Sequence, residues 1–264
     1  MRRTVRRCAC ACPRARGTLL NASPDLRAQI QATAALRPSG GRRGSPIAAV
    51  LLTGAEIDQT AGLLSLRERS PFALIATAST LAAVADNPMF TALAPDVVLR
   101  RAAVPGAKIG LEGGLEAELF MVPGKVPLYL EGDDPETASE TGANVGVEIT
   151  DGKVRLAYVP GCAAMTPALR ERLNRADAIL FDGTLFTDDE MVRTGTGEKT
   201  GRRMGHMPID SEGGSITALA GLSARRIFVH INNTNPILVD GSPERVRVEA
   251  AGWEVAFDGM EIVL

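Results

Sequence analysis

Phe228-Val229-His230-Ile231-Asn232-Asn233-Thr234-Asn235-Pro236 runs β-compatible residues into a histidine and then into Asn, Thr and Pro, which end any strand at once. His230 is thereby placed at a strand exit. Layered α/β proteins set reactive groups there, because the sheet fixes the side chain while the loop leaves it open to a ligand. The chain has only one other histidine, His206 in Met204-Gly205-His206-Met207-Pro208, also among loop-forming residues.

Outward from this stretch the pattern of strand then helix recurs. Ile47 to Thr53, Phe72 to Ala76 and Ala178 to Phe181 are continuous apolar runs, as expected of strands buried on both faces of a sheet. Gly17 to Ala22 reads as a further strand. Ser23-Pro24-Asp25 reads as a helix start, with Ser23 as N-cap and the helix reaching Leu36. Helices are also predicted after Gly54 to about Arg69, over Ser79 to Asp86, Thr166 to Asn174, Gly214 to Ala220 and Pro243 to Ala250. From Val97 to Val122 the turn signals Pro105-Gly106 and Gly113-Gly114 predict an antiparallel meander. Asp151-Gly152 predicts a hairpin. Thr187 to Ser211 reads as a long loop, and strands close the chain from Trp253 to Leu264. This order fits a four-layer αββα sandwich, an α/β fold with a sheet pair between helical layers. Residues 17–264 are expected to form a single domain and 1–16 a separate Arg/Cys-rich terminus.

At 264 residues the chain is long enough to bury roughly three quarters of its unfolded surface. A net charge of −2 and 4% aromatic residues exclude a nucleic-acid surface. No apolar run approaches the roughly 20 residues of a membrane helix. Four cysteines are too few for a disulfide scaffold and point to a reducing, cytoplasmic setting. Cys8, Cys10 and Cys12 follow a Cys-x-Cys-x-Cys spacing, open to either a structural zinc or a plain basic tail, since six arginines fall in the first sixteen residues. An atypical or misassigned start is expected.

Strand ends deliver Glu56 and Asp58, then Asp182, then His230, with His206 on the long loop. Two histidines and a carboxylate suit non-haem Fe(II), which keeps positions open for O₂ and substrate, and zinc accepts the same donors. Asp58 and Asp182 read equally as capping or turn carboxylates, and His230 as a hydrogen-bonded anchor of the Asn-rich loop. Glu56 reads as solvated and Cys162 as an apolar filler.

Leu20-Asn21-Ala22-Ser23-Pro24-Asp25-Leu26-Arg27, Val122-Pro123-Gly124-Lys125, Phe181-Asp182-Gly183-Thr184, Asp189-Glu190-Met191, Lys199-Thr200-Gly201, Met204-Gly205-His206, His230 to Pro236 and Asp258-Gly259-Met260-Glu261 resemble, as a set, the pyrroloquinoline quinone (PQQ) biosynthesis protein B family. The resemblance implies a bacterial protein of the metallo-β-lactamase type, here lacking the first strand. It also implies a part in PQQ biosynthesis, as an iron- and O₂-dependent hydroxylase acting on the tyrosine ring of a Glu-Tyr unit from the precursor peptide. The alternative it carries is transport of PQQ or its precursor to the periplasm. The implied partners are that small precursor, O₂ and other proteins of the pathway. By the same resemblance Asp58, Asp182, His206 and His230 would hold metal; similarity to the transfer-RNA-processing branch of the superfamily implies instead that Asp182 orients His206, with the two as catalytic acid/base partners. No substrate-binding residue is implied. The superfamily's His-x-His-x-Asp-His signature falls on Gly54 to Gln59, keeping only Asp58, and its next ligands fall near Asn144 and Gly161. Cys10 and Cys12 echo a zinc motif whose last cysteine is Ala15 here.

Overall fold

The computed structural model of the protein describes residues 9–10, 16–38, 44–132 and 136–264. Cys8, Cys12 and the Cys10 side chain lie outside the described residues, and with them the structural zinc expected from Cys10 and Cys12. The chain divides into two compact units, one running through Leu119 with Pro127–Leu130, the other comprising Phe120–Val126 and Glu131–Leu264.

The first unit carries a five-stranded sheet of β1 (Ala9–Cys10), β2 (Gly17–Leu20), β3 (Ile47–Leu51), β4 (Phe72–Ala76) and β5 (Val98–Ala102) in sequence order. Strands β2 to β5 are parallel, and the apolar runs of β3 and β4 are buried as their unbroken hydrophobicity requires. Helices α1 (Leu26–Ala32), α2 (Ile57–Thr60) and α3 (Ala78–Ala85) lie between the strands. Leu26, Leu63 and Val84 pack with Leu19, Val50 and Leu74 into one core. Two expectations are corrected here. Ala22 and Ser23 lie outside any helix: Ala22 bonds Gln59 and Gly62 through the backbone, the Ser23 carbonyl accepts the Leu26 amide in a turn, and α1 runs from Leu26, after Asp25, to Ala32. The segment at Val98 joins β4 in parallel instead of opening a meander, since α3 provides the crossover that returns the chain to the same sheet edge. Strands β6 (Lys108–Gly110) and β7 (Glu116–Met121) do form the antiparallel pair predicted.

The second unit holds most of a sheet ordered β12-β11-β10-β9-β8-β7-β6, with the division between units falling inside β7. Its strands are β8 (Val145–Thr150), β9 (Arg155–Val159), β10 (Ala178–Asp182), β11 (Arg225–Val229) and β12 (Trp253–Val255). The β8/β9 hairpin turns over residues 151–154, where the Asp151 carboxylate accepts the amides of Lys153 and Val154 and Gly152 adopts a φ of 92°. Helices α4 (Pro167–Leu173), α5 (Glu190–Arg193), α6 (Ser215–Ala218) and α7 (Pro243–Ala250) follow. Leu169, Leu173, Ile216 and Val248 from these helices close over Ile179, Phe181, Phe228 and Trp253. The Phe228 and Trp253 rings stack 3.9 Å apart. The stretch Thr187 to Ser211 is not structureless: it contains α5 and a 3-10 turn at Arg202–Met204. After Val255 no further strand forms among the described residues.

Candidate metal centre

Strand period decides where Asp182 points. Ile179 and Phe181 join the helix-side core, so Leu180 and Asp182 occupy the opposite face of β10, and Asp182 is fully buried at the strand's end. The neighbouring parallel strand β11 pairs Val229 with Asp182, which sets His230 beside the same exit. Gly183 lets the two chain ends approach, because a Cβ there would meet Phe228 and the Val229 carbonyl. His230 takes a left-handed backbone, φ 57°, unusual outside glycine. Asn235, buried, holds the following loop by donating to the Gly183 carbonyl at 2.9 Å while its own oxygen caps Ile237.

Asp182, His206 and His230 each offer a ligand atom within 4.8 Å of the others. The two imidazoles stack, with centroids 5.1 Å apart and planes 23° from parallel. Asp182 Oδ2 accepts from the Cys162 amide at 2.9 Å and faces His206 Nδ1 at 2.7 Å. Its Oδ1 accepts from the Thr184 amide at 3.1 Å and the Thr184 hydroxyl at 2.6 Å. Thr184 Oγ1 in turn lies 2.6 Å from His230 Nδ1.

These contacts favour one tautomer of each ring. Burial opposes ionisation of Asp182, but His206 and His230, by charge and hydrogen bonding, outweigh it and hold the carboxyl well below the usual range. An ionised carboxylate only accepts, so His206 must donate from Nδ1. The Thr184 hydroxyl has one proton for two acceptors, Asp182 Oδ1 at 2.6 Å and the His230 carbonyl at 3.1 Å; given to the nearer Oδ1, it leaves a lone pair facing His230 Nδ1. With Nδ1 so engaged, each ring in its neutral form has its lone pair on Nε2, the nitrogen that can meet a metal ion. All four acceptor positions of Asp182 are engaged, so its best role is to orient the histidines.

Other expected residues fall as follows. Asp58 stands in the first turn of α2, in the other unit. Glu56 is not simply solvated: it forms a capping box with Gln59 and its carboxylate accepts the Leu128 amide. Cys162 is buried in the core, as an apolar filler should be, and burial followed by the Asp182 charge pushes its thiol far up. Asn144 donates to the Gly161 carbonyl at 2.9 Å, and a Cβ on Gly161 would lie 3.5 Å from both Asn144 Oδ1 and His206 Cε1. The positions where further superfamily ligands are expected thus flank His206 but hold an amide and a glycine. Thr184 and Glu190 escaped sequence reasoning. Glu190 ties the loop after β10 to the loop after β11, accepting from the Phe186 amide and the Thr234 hydroxyl.

Fold and site together define a protein of the metallo-β-lactamase type with a histidine-rich centre. A family model, the beta-lactamase superfamily domain, matches residues 16–231. More closely, the chain is 55% identical over 247 residues to the coenzyme PQQ synthesis protein B of Methylobacterium sp. (strain 4-46), covering 93% of this chain and 83% of that one. It is 54% identical to the protein of the same name from Rhizobium meliloti (strain 1021), covering 94% and 81%. A crystal structure of Zn²⁺-bound PqqB from Methylobacterium extorquens superposes with a TM-score of 0.94 at 52% identity, covering 97% of this chain and 86% of that one. The chain belongs to the coenzyme PQQ synthesis protein B family, and the αββα fold expected from its sequence is borne out. No helix among the described residues is long and apolar enough to cross a membrane.

Proposed function

We propose that this chain acts in PQQ synthesis as an iron-dependent hydroxylase of the tyrosine ring in a small Glu-Tyr precursor. The observation that carries the proposal is the pair of stacked imidazoles whose Nδ1 atoms both face the Asp182–Thr184 pair, at 2.7 and 2.6 Å. Two imidazoles presented through Nε2, backed by a carboxylate, fit a borderline divalent ion. His206 and His230 would hold it. When bound, iron(II) would supply open coordination positions and a redox centre that passes the reductant's electrons to O₂. The net reaction inserts one oxygen atom into a ring C–H bond and releases the other as water, using two electrons and two protons from an external reductant.

The chain's own residues supply the rest. Asp182 keeps the His206 proton on Nδ1 and balances positive charge that builds on either ring. Thr184 transmits that constraint to His230. The metal named for the relative from M. extorquens is zinc, which such donors also accept. The test is anaerobic loading with Fe(II), followed by O₂, ascorbate and Glu-Tyr, with the catechol read by mass spectrometry. The catechol is expected from the wild-type chain and not from His206→Ala or His230→Ala. A folded chain that forms no catechol yet binds PQQ tightly would favour carriage of the cofactor instead.

A further inference from the structure

Glu131 is nearly buried, and three cations converge on it: Lys125 Nζ at 2.5 Å, Lys199 Nζ at 3.2 Å and Arg203 at 3.3 Å. One carboxylate neutralises one cation. Lys125, with only 10% of its side chain exposed, is the buried partner. Lys199 and Arg203 share the other carboxylate oxygen and keep 42% and 37% of their side chains exposed, so both reach solvent while pinned in place. Among the described residues, these three cations outnumber the one carboxylate they share.

Its place in the fold matters. Lys199 and Arg203 lie on the segment that delivers His206, whose amide bonds back to the Gly201 carbonyl at 2.9 Å. The Lys125 stem packs against Gly205, where φ is 84° and a Cβ would come within 3.1 Å of Lys125 Cγ. The cluster thus stands on the segment that leads into His206. A guanidinium braced through Nη1 by an acid is preorganised to offer its other N–H groups to a second carboxylate.

We propose that Arg203 and Lys199, braced by Glu131, form a carboxylate-binding site that recognises an anionic, acidic-peptide-like ligand next to His206. Which ligand is then transformed rests on the function proposed above; the demand for negative charge does not. The test is calorimetric titration of the full chain in EDTA, so that no metal–carboxylate bond contributes, with Glu-Tyr and with its neutral analogue Gln-Tyr-amide. Glu-Tyr is expected to bind at least about tenfold tighter, in line with one lost charge-assisted contact. The preference should shrink as NaCl rises. It should fall to within about twofold in Lys199→Gln/Arg203→Gln and partly return in Arg203→Lys, in chains whose thermal midpoint is unchanged. Equal binding of both peptides, no binding of Glu-Tyr, or a preference that survives in the double variant would overturn the site. Catechol formed equally from both peptides would uphold the hydroxylase and defeat this site. Charge-selective binding without catechol would do the reverse.

Discussion

Thr184 has a single hydroxyl proton and stands 2.6 Å from both Asp182 Oδ1 and His230 Nδ1, so its direction of donation decides how His230 meets a ligand. Thr184→Val keeps the shape and removes the relay. It should weaken metal affinity about 10- to 100-fold, the usual effect of losing a partner that orients a ligand, while Thr184→Ser stays within a few-fold of wild type. Competitive metal titration reads both; unchanged affinity in Thr184→Val would remove Thr184 from the centre. Its own chemistry does not single this residue out within the stretch Phe181 to Thr184, because its importance arises from Asp182 and His230, 48 positions apart, meeting at one hydroxyl. His206 and His230, by contrast, were visible from their rarity and their loop settings.

At the scale of elements, the segment through the Arg202–Met204 turn is held by Glu131. Burial would raise that carboxyl, but hydrogen bonds and charge from Lys125 and Lys199 prevail and bring it down to about 2. A depressed folded value means the unfolded chain binds the extra proton first. The stabilisation is therefore complete above the unfolded value of about 4.3 and is lost as pH falls toward 2. Glu131→Gln should show a flatter acid limb between about pH 5 and 2 in urea midpoints, at some cost in stability near neutrality. Parallel acid limbs would contradict this. The elements themselves were legible where hydrophobicity runs unbroken, as in β3, β4 and β10. They were misread where tertiary bonds override local signals. Ser23 has the composition of a helix start, yet the backbone bonds of Ala22 to Gln59 and Gly62 hold the residue before it, and Ser23 opens a turn ahead of α1.

For the whole molecule, the αββα architecture was within reach of the sequence, because strand and helix alternate in its order. The site's composition was only half within reach. That Asp182 and His230 meet follows from β10 and β11 being parallel neighbours in register, and strand order cannot be read from the chain. Binding that requires the folded centre must stabilise the whole fold. Metal at a hundredfold excess over its dissociation constant should contribute about 2.7 kcal/mol. That corresponds to a midpoint rise of roughly 5–10 °C. Scanning calorimetry should find this rise in wild type and lose it in His206→Ala. The most direct test of the centre is to load the wild-type chain, His206→Ala, His230→Ala and Asp182→Asn with Fe(II) anaerobically, desalt them, and count iron per chain. A histidine pair oriented by Asp182 predicts about one iron in wild type, almost none in either alanine variant and weakened retention in Asp182→Asn. Equal iron in all four folded chains would contradict it.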